Sequence, residues 1–251
     1  MHFLTEPYAA AIIFSFLVAG AVKGLVGIGL PTILLVLNSQ FLDPRLAISI
    51  ALIPIAVTNA WQVFHSGEIV RAFKEYLPFL LVSLPVVWFT ATFSTNIPNS
   101  TMYLLTGVAV VGFVAASVLS NGLNKYRPNN DLFLQAPSGL ATGLIGGATS
   151  IWAPAIIIFL SVRGAVKDEF VRASGLLIFL SCIPLTAGYF RSGALTPELA
   201  TTSLALLAPT ILGFQMGAVI RSRLSERTFW NVLLISFLLM GGNLIRKGVI
   251  G

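Results

Sequence analysis

All nine acidic residues of this 251-residue chain lie between apolar runs, and none lies within one. Of the 15 lysines and arginines, Lys23 alone sits deep inside such a run. The runs cover about 8–38, 46–64, 76–93, 101–119, 132–161, 170–190, 199–220 and 228–245. Six of them have about the length that crosses a bilayer, roughly 17–25 residues. A surface facing hydrocarbon excludes ionised groups, which accounts for the pattern. Charged residues make up only 10% of the chain, against roughly 25% in a soluble domain. The expected fold is therefore an all-α integral membrane protein, since a helix satisfies its own backbone in lipid.

The two remaining runs, 8–38 and 132–161, are longer and are interrupted by glycines and a proline. The first contains GAVKGLVGIGLP from Gly20 to Pro31, and the second GLATGLIGGATSIWAP from Gly139 to Pro154. Both carry G-x-x-x-G-L-x-G, and further matches follow in order. Phe64-His65-Ser66-Gly67 pairs with Phe190-Arg191-Ser192-Gly193, and Asp43 with Glu169, at a common spacing of 126 residues. Ordered matches followed by similar span patterns read as an internal duplication. The polar segment 121–131 (NGLNKYRPNND) is its natural linker. The first repeat is then 1–120, with its broken segment at 8–38. The second is 132–251, with its broken segment at 132–161.

Charge placement decides how the long runs cross. If each crosses once, the loop cations divide evenly and give no orientation. If each enters and returns as a hairpin, Arg71, Lys74, Lys125, Arg127, Arg163, Lys167, Arg172, Arg221, Arg223 and Arg227 share one side. Only Arg45, Arg191, Arg246 and Lys247 lie opposite. The positive-inside rule makes the richer side cytoplasmic and places both termini outside the cytoplasm. A hairpin plus three spans has odd crossing parity, so two such units in tandem are inverted repeats, as in many secondary transporters.

The hairpin tips are the candidate binding site. Non-helical backbone at membrane depth is tolerated where protein or a wet cavity satisfies it. Gly24, Gly27 and Gly29 in the first tip, and Gly143, Gly146 and Gly147 in the second, permit turning and close approach. Pro31 suits the start of a returning half-helix, as does Pro154. The N-terminus of such a half-helix attracts an anion through its free N–H groups and dipole. Thr142, Thr149 and Ser150 could add hydroxyl donors, and Lys23 a countercharge. Asn59 and Gln62 share a helix face and could line the site, and Trp152 could wall it. Structural readings stand beside these: close helix packing for the glycines, a snorkelling stem for Lys23, amide glue for Asn59 and Gln62, and a core position for Trp152. Anionic solute and lipid are the expected partners, and homo-oligomerisation stays open.

Other classes fit poorly. The net charge of +6 is scattered through short loops with no aromatic-basic stripe, so nucleic acid is not an expected partner. Cys182 is the sole cysteine, which excludes an intramolecular disulfide. His65 and the near-terminal His2 cannot build a usual metal site, and no cofactor or enzymatic activity is expected. The N-terminal MHFLTEPY has no basic region and does not read as a cleavable leader.

The runs GAVKGLVGIGLPT, PIAVTNAWQVFHSG (Pro54 to Gly67), GLATGLIGGATSIWAP and LGFQMGAVIRSRLSERTFWNVLLISFLLMGG (Leu212 to Gly242) resemble the sulfite exporter TauE/SafE family. The resemblance covers nearly the whole chain. It implies two duplicated modules of three spans in the inner membrane, and export or exchange of sulfite, organosulfonates or related small anions. The reading is thus a transporter with alternating access at a midplane site between the two tips. An anion channel using the same site and a non-transporting membrane assembly subunit are the alternatives.

Overall fold

The computed structural model describes residues 8–119, 132–220 and 226–250. The linker 121–131, with Lys125 and Arg127, lies outside them, as do Arg221 and Arg223. The described residues are helical, with no strand among them. In chain order the helices are α1 (Ala9–Val26), α2 (Leu30–Asn38), α3 (Pro44–Ser66), α4 (Ile69–Glu75), α5 (Leu77–Phe93), α6 (Asn99–Leu119), α7 (Leu132–Thr149), α8 (Ala153–Val162), α9 (Lys167–Arg191), α10 (Pro197–Ile220) and α11 (Glu226–Ile250). Among the described residues, α3, α6, α9 and α10 are each long and apolar enough to cross a membrane. Helix α5 reaches that length only when joined to α4 across a 79° bend. The run at 76–93 is therefore a 17-residue helix preceded by a short one lying across it.

Local sequence sets the boundaries. Asp43 caps α3 by accepting from the Arg45 N–H at 2.8 Å, with Pro44 at the first helical position. Proline occupies the first turn of α2, α5 and α8 as well. Large apolar side chains such as Phe14, Leu81, Phe133 and Leu239 stay outside the packed interior, as expected where lipid is the solvent.

Packing between helices depends on missing side chains. Helix α1 lies on α10, where a Cβ at Gly24 would overlap the Phe214 carbonyl oxygen and one at Gly217 the Ala21 carbonyl oxygen. Helix α7 lies on α5, where a Cβ at Gly139 would stand 2.6 Å from the Phe79 carbonyl oxygen. The other main pairs are α6 with α11 and α3 with α9. Lipid tails are as apolar as leucine, so close backbone contact is what holds such helices together.

Both long runs turn back. Ser15 on α1 donates to Asn38 Oδ1 at the far end of α2 (3.1 Å). The ring of Tyr8, just before α1, stacks on Phe41, just after α2 (centroids 5.7 Å apart). Gln135, near the start of α7, donates to the Glu75 carbonyl at 3.0 Å, and Arg163, just after α8, pairs with the Glu75 carboxylate at 2.8 Å. Each short helix therefore ends where its long partner begins.

Polar groups gather at two ends. One end holds Arg45 against the Ser94 carbonyl (3.0 Å), Ser49 against the Ala194 carbonyl (3.0 Å) and Lys247 against the Gln40 carbonyl (2.8 Å). The other holds Glu75–Arg163, Glu68–Arg172 (2.9 Å) and Tyr76 donating to Glu169 (3.4 Å).

Candidate functional site

The first break is a three-residue turn, Gly27-Ile28-Gly29, whose glycines take φ of +92° and +99°. A side chain at either would be forced into the left-handed region. The Gly27 N–H closes α1 on the Lys23 carbonyl at 2.7 Å, and Pro31 then opens α2. The Leu30 and Pro31 end of α2 is buried, so its N-terminal dipole faces protein rather than solvent. Thr32 in this turn is fully buried, and its hydroxyl has no hydrogen-bond partner.

Lys23 is 1% exposed, and its Nζ donates to Asn59 Oδ1 at 2.7 Å. The Asn59 amide also donates from Nδ2 to the Ile55 carbonyl at 2.8 Å. No salt bridge among the described residues includes Lys23. An ammonium has three donors, and one is used. Cys182 on α9 is also buried.

The second break is built differently. Thr149 ends α7, Ser150 takes φ +57°, and Trp152 precedes α8 with Pro154 in its first turn. The Ser150 N–H reaches the Gly146 carbonyl at 2.7 Å and closes the last turn of α7. The Trp152 indole lies against Gly146, where a Cβ would overlap its Cδ1 and Nε1. Thr142, Ser150 and Trp152 are all at most 1% exposed. The Thr142 and Ser150 hydroxyls and the Trp152 indole N–H have no hydrogen-bond partner among the described residues. Thr149 is committed, with its hydroxyl donating to Ile145 (2.7 Å) and accepting from the Ile151 N–H (3.2 Å).

Several sequence candidates sit elsewhere. Gly24 faces α10, and Gly143 and Gly147 face α5 at Val86 and Thr90. Gln62 donates to the Val171 carbonyl and covers Gly175, tying α3 to α9. The two hairpins share no extended helix packing with each other among the described residues. Helices α3 and α9 lie between them: α3 packs on α2 and touches α7, while α9 meets Gly27 through Val171 and packs on α8. Among the described residues, the buried unpaired hydroxyls of Thr32, Ser39, Ser83, Thr106, Ser181 and Tyr189 were not among the sequence candidates. Thr32 directly follows the helix-opening Pro31, which is a readable signal.

These features belong to a protein that keeps irregular backbone and polar donors inside a bundle of apolar helices. A model of the sulfite exporter TauE/SafE family matches residues 12–244, nearly the whole chain. The chain belongs to the TauE/SafE family. No curated protein and no solved structure matches it. Membership makes it a multi-pass membrane protein of the anion-exporter type, in a family of transporters rather than enzymes. Both breaks and all the unpaired donors named above fall within the matched residues.

Proposed function

We propose that the chain exports or exchanges a small oxyanion, of the sulfite or sulfonate kind, by alternating access across the inner membrane. The observation that carries this reading is the pair of buried half-helix N-termini, at Leu30 and Ala153, on hairpins that return to their own starting ends. The solute would pass along α3 and α9, between the two tips. Lys23 supplies the one positive side chain at depth, and the breaks supply the N–H and hydroxyl donors. Such fixed donors in a water-poor interior bind anions far more strongly than in water.

Two inverted repeats, 1–120 and 132–251, supply the moving parts in this reading. Its support is an exchange of partners. Helix α1 packs on α10 while α7 packs on α5, and α3–α9 and α6–α11 pair across the same exchange. A two-fold relation of α1–α6 to α7–α11 generates that set. The end carrying Arg71, Arg163 and Arg172 would face the cytoplasm, which puts both termini outside it.

Flux of sulfite from proteoliposomes containing the purified chain tests the proposal. Wild type is expected to give saturable flux, and Lys23→Met under a tenth of it. Equal flux from Lys23→Met removes Lys23 from the path. Single-channel currents in place of saturable flux favour a channel, and no flux at all favours an assembly subunit.

A further inference from the structure

We infer that the cavity where the end of α11 meets the start of α6 seats the phosphate of an anionic phospholipid, held by Arg246 and Lys247. The site is remote from both hairpin tips. It requires only that the chain sits in a membrane, so it stands apart from the anion-transport reading.

The last turn of α11 is pressed onto the first turn of α6. A Cβ at Gly248 would stand 2.6 Å from the Leu104 backbone nitrogen and 2.7 Å from the Ser100 carbonyl oxygen. Beside this contact lies a cavity of about 370 Å³, lined among the described residues by Tyr103, Arg246, Lys247 and Ile250. Lys247 Nζ stands 5.3 Å from the centre of the Tyr103 ring and donates to the carbonyls of Gln40 (2.8 Å) and Ser39 (3.4 Å). The Tyr103 hydroxyl donates to the Leu42 carbonyl at 3.2 Å. The Arg246 guanidinium reaches Asn243 Oδ1 through Nε (3.3 Å) and Nη2 (3.0 Å). Neutral acceptors thus position both cations, and no ion pair among the described residues includes either. Asp43, next in the chain after Leu42, caps α3 and lies 3.9 Å from Arg45.

Two cations on one cavity wall without a carboxylate are complementary to an anion. A guanidinium fork fits two phosphate oxygens, and an ammonium adds a point charge. Depth and surroundings select a lipid as its source. Tyr103 lies one turn inside the start of α6 at Asn99, and α6 is long and apolar enough to cross a membrane. The cavity therefore sits at headgroup level, where tyrosine and basic side chains anchor helices. Val249 and Ile250 are 71% and 76% exposed, and Phe41, between Gln40 and Leu42, is exposed as well. These give the acyl chains an apolar surface beside the cations. Basic pockets between membrane helices hold phosphate headgroups in this way. A zwitterionic headgroup would bring a further cation to a wall that already carries two. Asn243 Nδ2 also donates to Gln40 Oε1 at 2.7 Å, so a phosphate seated here would fasten the first hairpin to the α6–α11 pair.

Thermal unfolding of the purified, delipidated full-length protein in a neutral detergent is titrated with phosphatidylglycerol and with phosphatidylcholine of the same acyl chains. Wild type is expected to be stabilised by phosphatidylglycerol and not by phosphatidylcholine. Arg246→Gln, which removes a side chain bonded only within its own helix, is expected to bind phosphatidylglycerol about ten-fold more weakly. Lys247→Gln is expected to weaken binding by a similar factor. Arg191→Gln removes a cation at the same end of the bundle, over the Trp88 ring, and is expected to leave the affinity unchanged. Equal stabilisation by phosphatidylcholine overturns the site, as does unchanged affinity in both the Arg246 and the Lys247 variants. An equal loss in Arg191→Gln would mean that surface charge alone attracts the lipid, and also overturns it. Glycerophosphoglycerol, the same headgroup without acyl chains, is expected to stabilise far less at equal concentration. A match between the two would make the ligand a soluble phosphate ester and overturn the lipid assignment.

Discussion

The two hairpins reach similar shapes by different chemistry. The first turns through two glycines in left-handed backbone, where the buried Lys23 has a partner in Asn59 and the Thr32 hydroxyl has none. The second turns at Ser150 without a glycine in the turn, and it leaves three buried donors unpaired. Glycine makes a left-handed turn at little steric cost, whereas serine there stores strain. Strain combined with unsatisfied donors is what a ligand site retains and a purely structural turn sheds. In the transport reading proposed above, the first tip is a hinge with a countercharge and the second is the grip.

That contrast is limited to the tips, because the shafts of both hairpins are held alike. Gly217→Ala, which disrupts the first shaft, and Gly147→Ala, which disrupts the second, meet carbonyl or hydroxyl oxygens of the neighbouring helix. Each is expected to cost about 3 kcal/mol, read as loss of monodisperse protein and a lower unfolding temperature. A large cost on one side only would mean that the shafts differ too.

At the tips the sign should reverse. Gly27→Ala is expected to destabilise by about 1–2 kcal/mol, because alanine resists φ of +92°. Ser150→Gly is expected to stabilise by roughly 1 kcal/mol. Unfolding midpoints of the two variants in one detergent check this, and two shifts of the same sign would erase the distinction between hinge and grip.

The smallest effect concerns the ends. Glu75→Gln removes the partly exposed pair with Arg163 that closes the second hairpin. The expected loss is under about 1 kcal/mol, and it should shrink in high salt. Unfolding at two ionic strengths reads it, and a larger, salt-independent loss would make Glu75 a structural anchor.

Much of this was legible in the residues. The excluded acids outlined the apolar segments, and glycine followed by proline placed both breaks within a few residues. Glycine roles were not legible, because a glycine serving a turn and one serving a helix crossing look identical until the partner helix is known. Gly24, three residues from Gly27, packs on α10 and takes no part in the turn. Ser150 gave no sign of its positive φ, since serine ordinarily avoids that region. Helix α4 was hidden because its seven residues, with Arg71, Lys74 and Glu75 among them, fall outside the apolar run that begins at Tyr76. The position of α3 and α9 between the tips depends on long-range packing that periodicity does not encode.

The central claim is that both long segments enter and return. Single cysteines at Tyr8, Phe41, Leu132 and Val166, each exposed and placed in a Cys182→Ala background, are labelled in sealed vesicles with a membrane-impermeant maleimide. The account predicts that positions 8 and 41 react from one face, and 132 and 166 from the other. Reaction of positions 8 and 41 from opposite faces would mean that the first segment passes straight through, and would contradict the account.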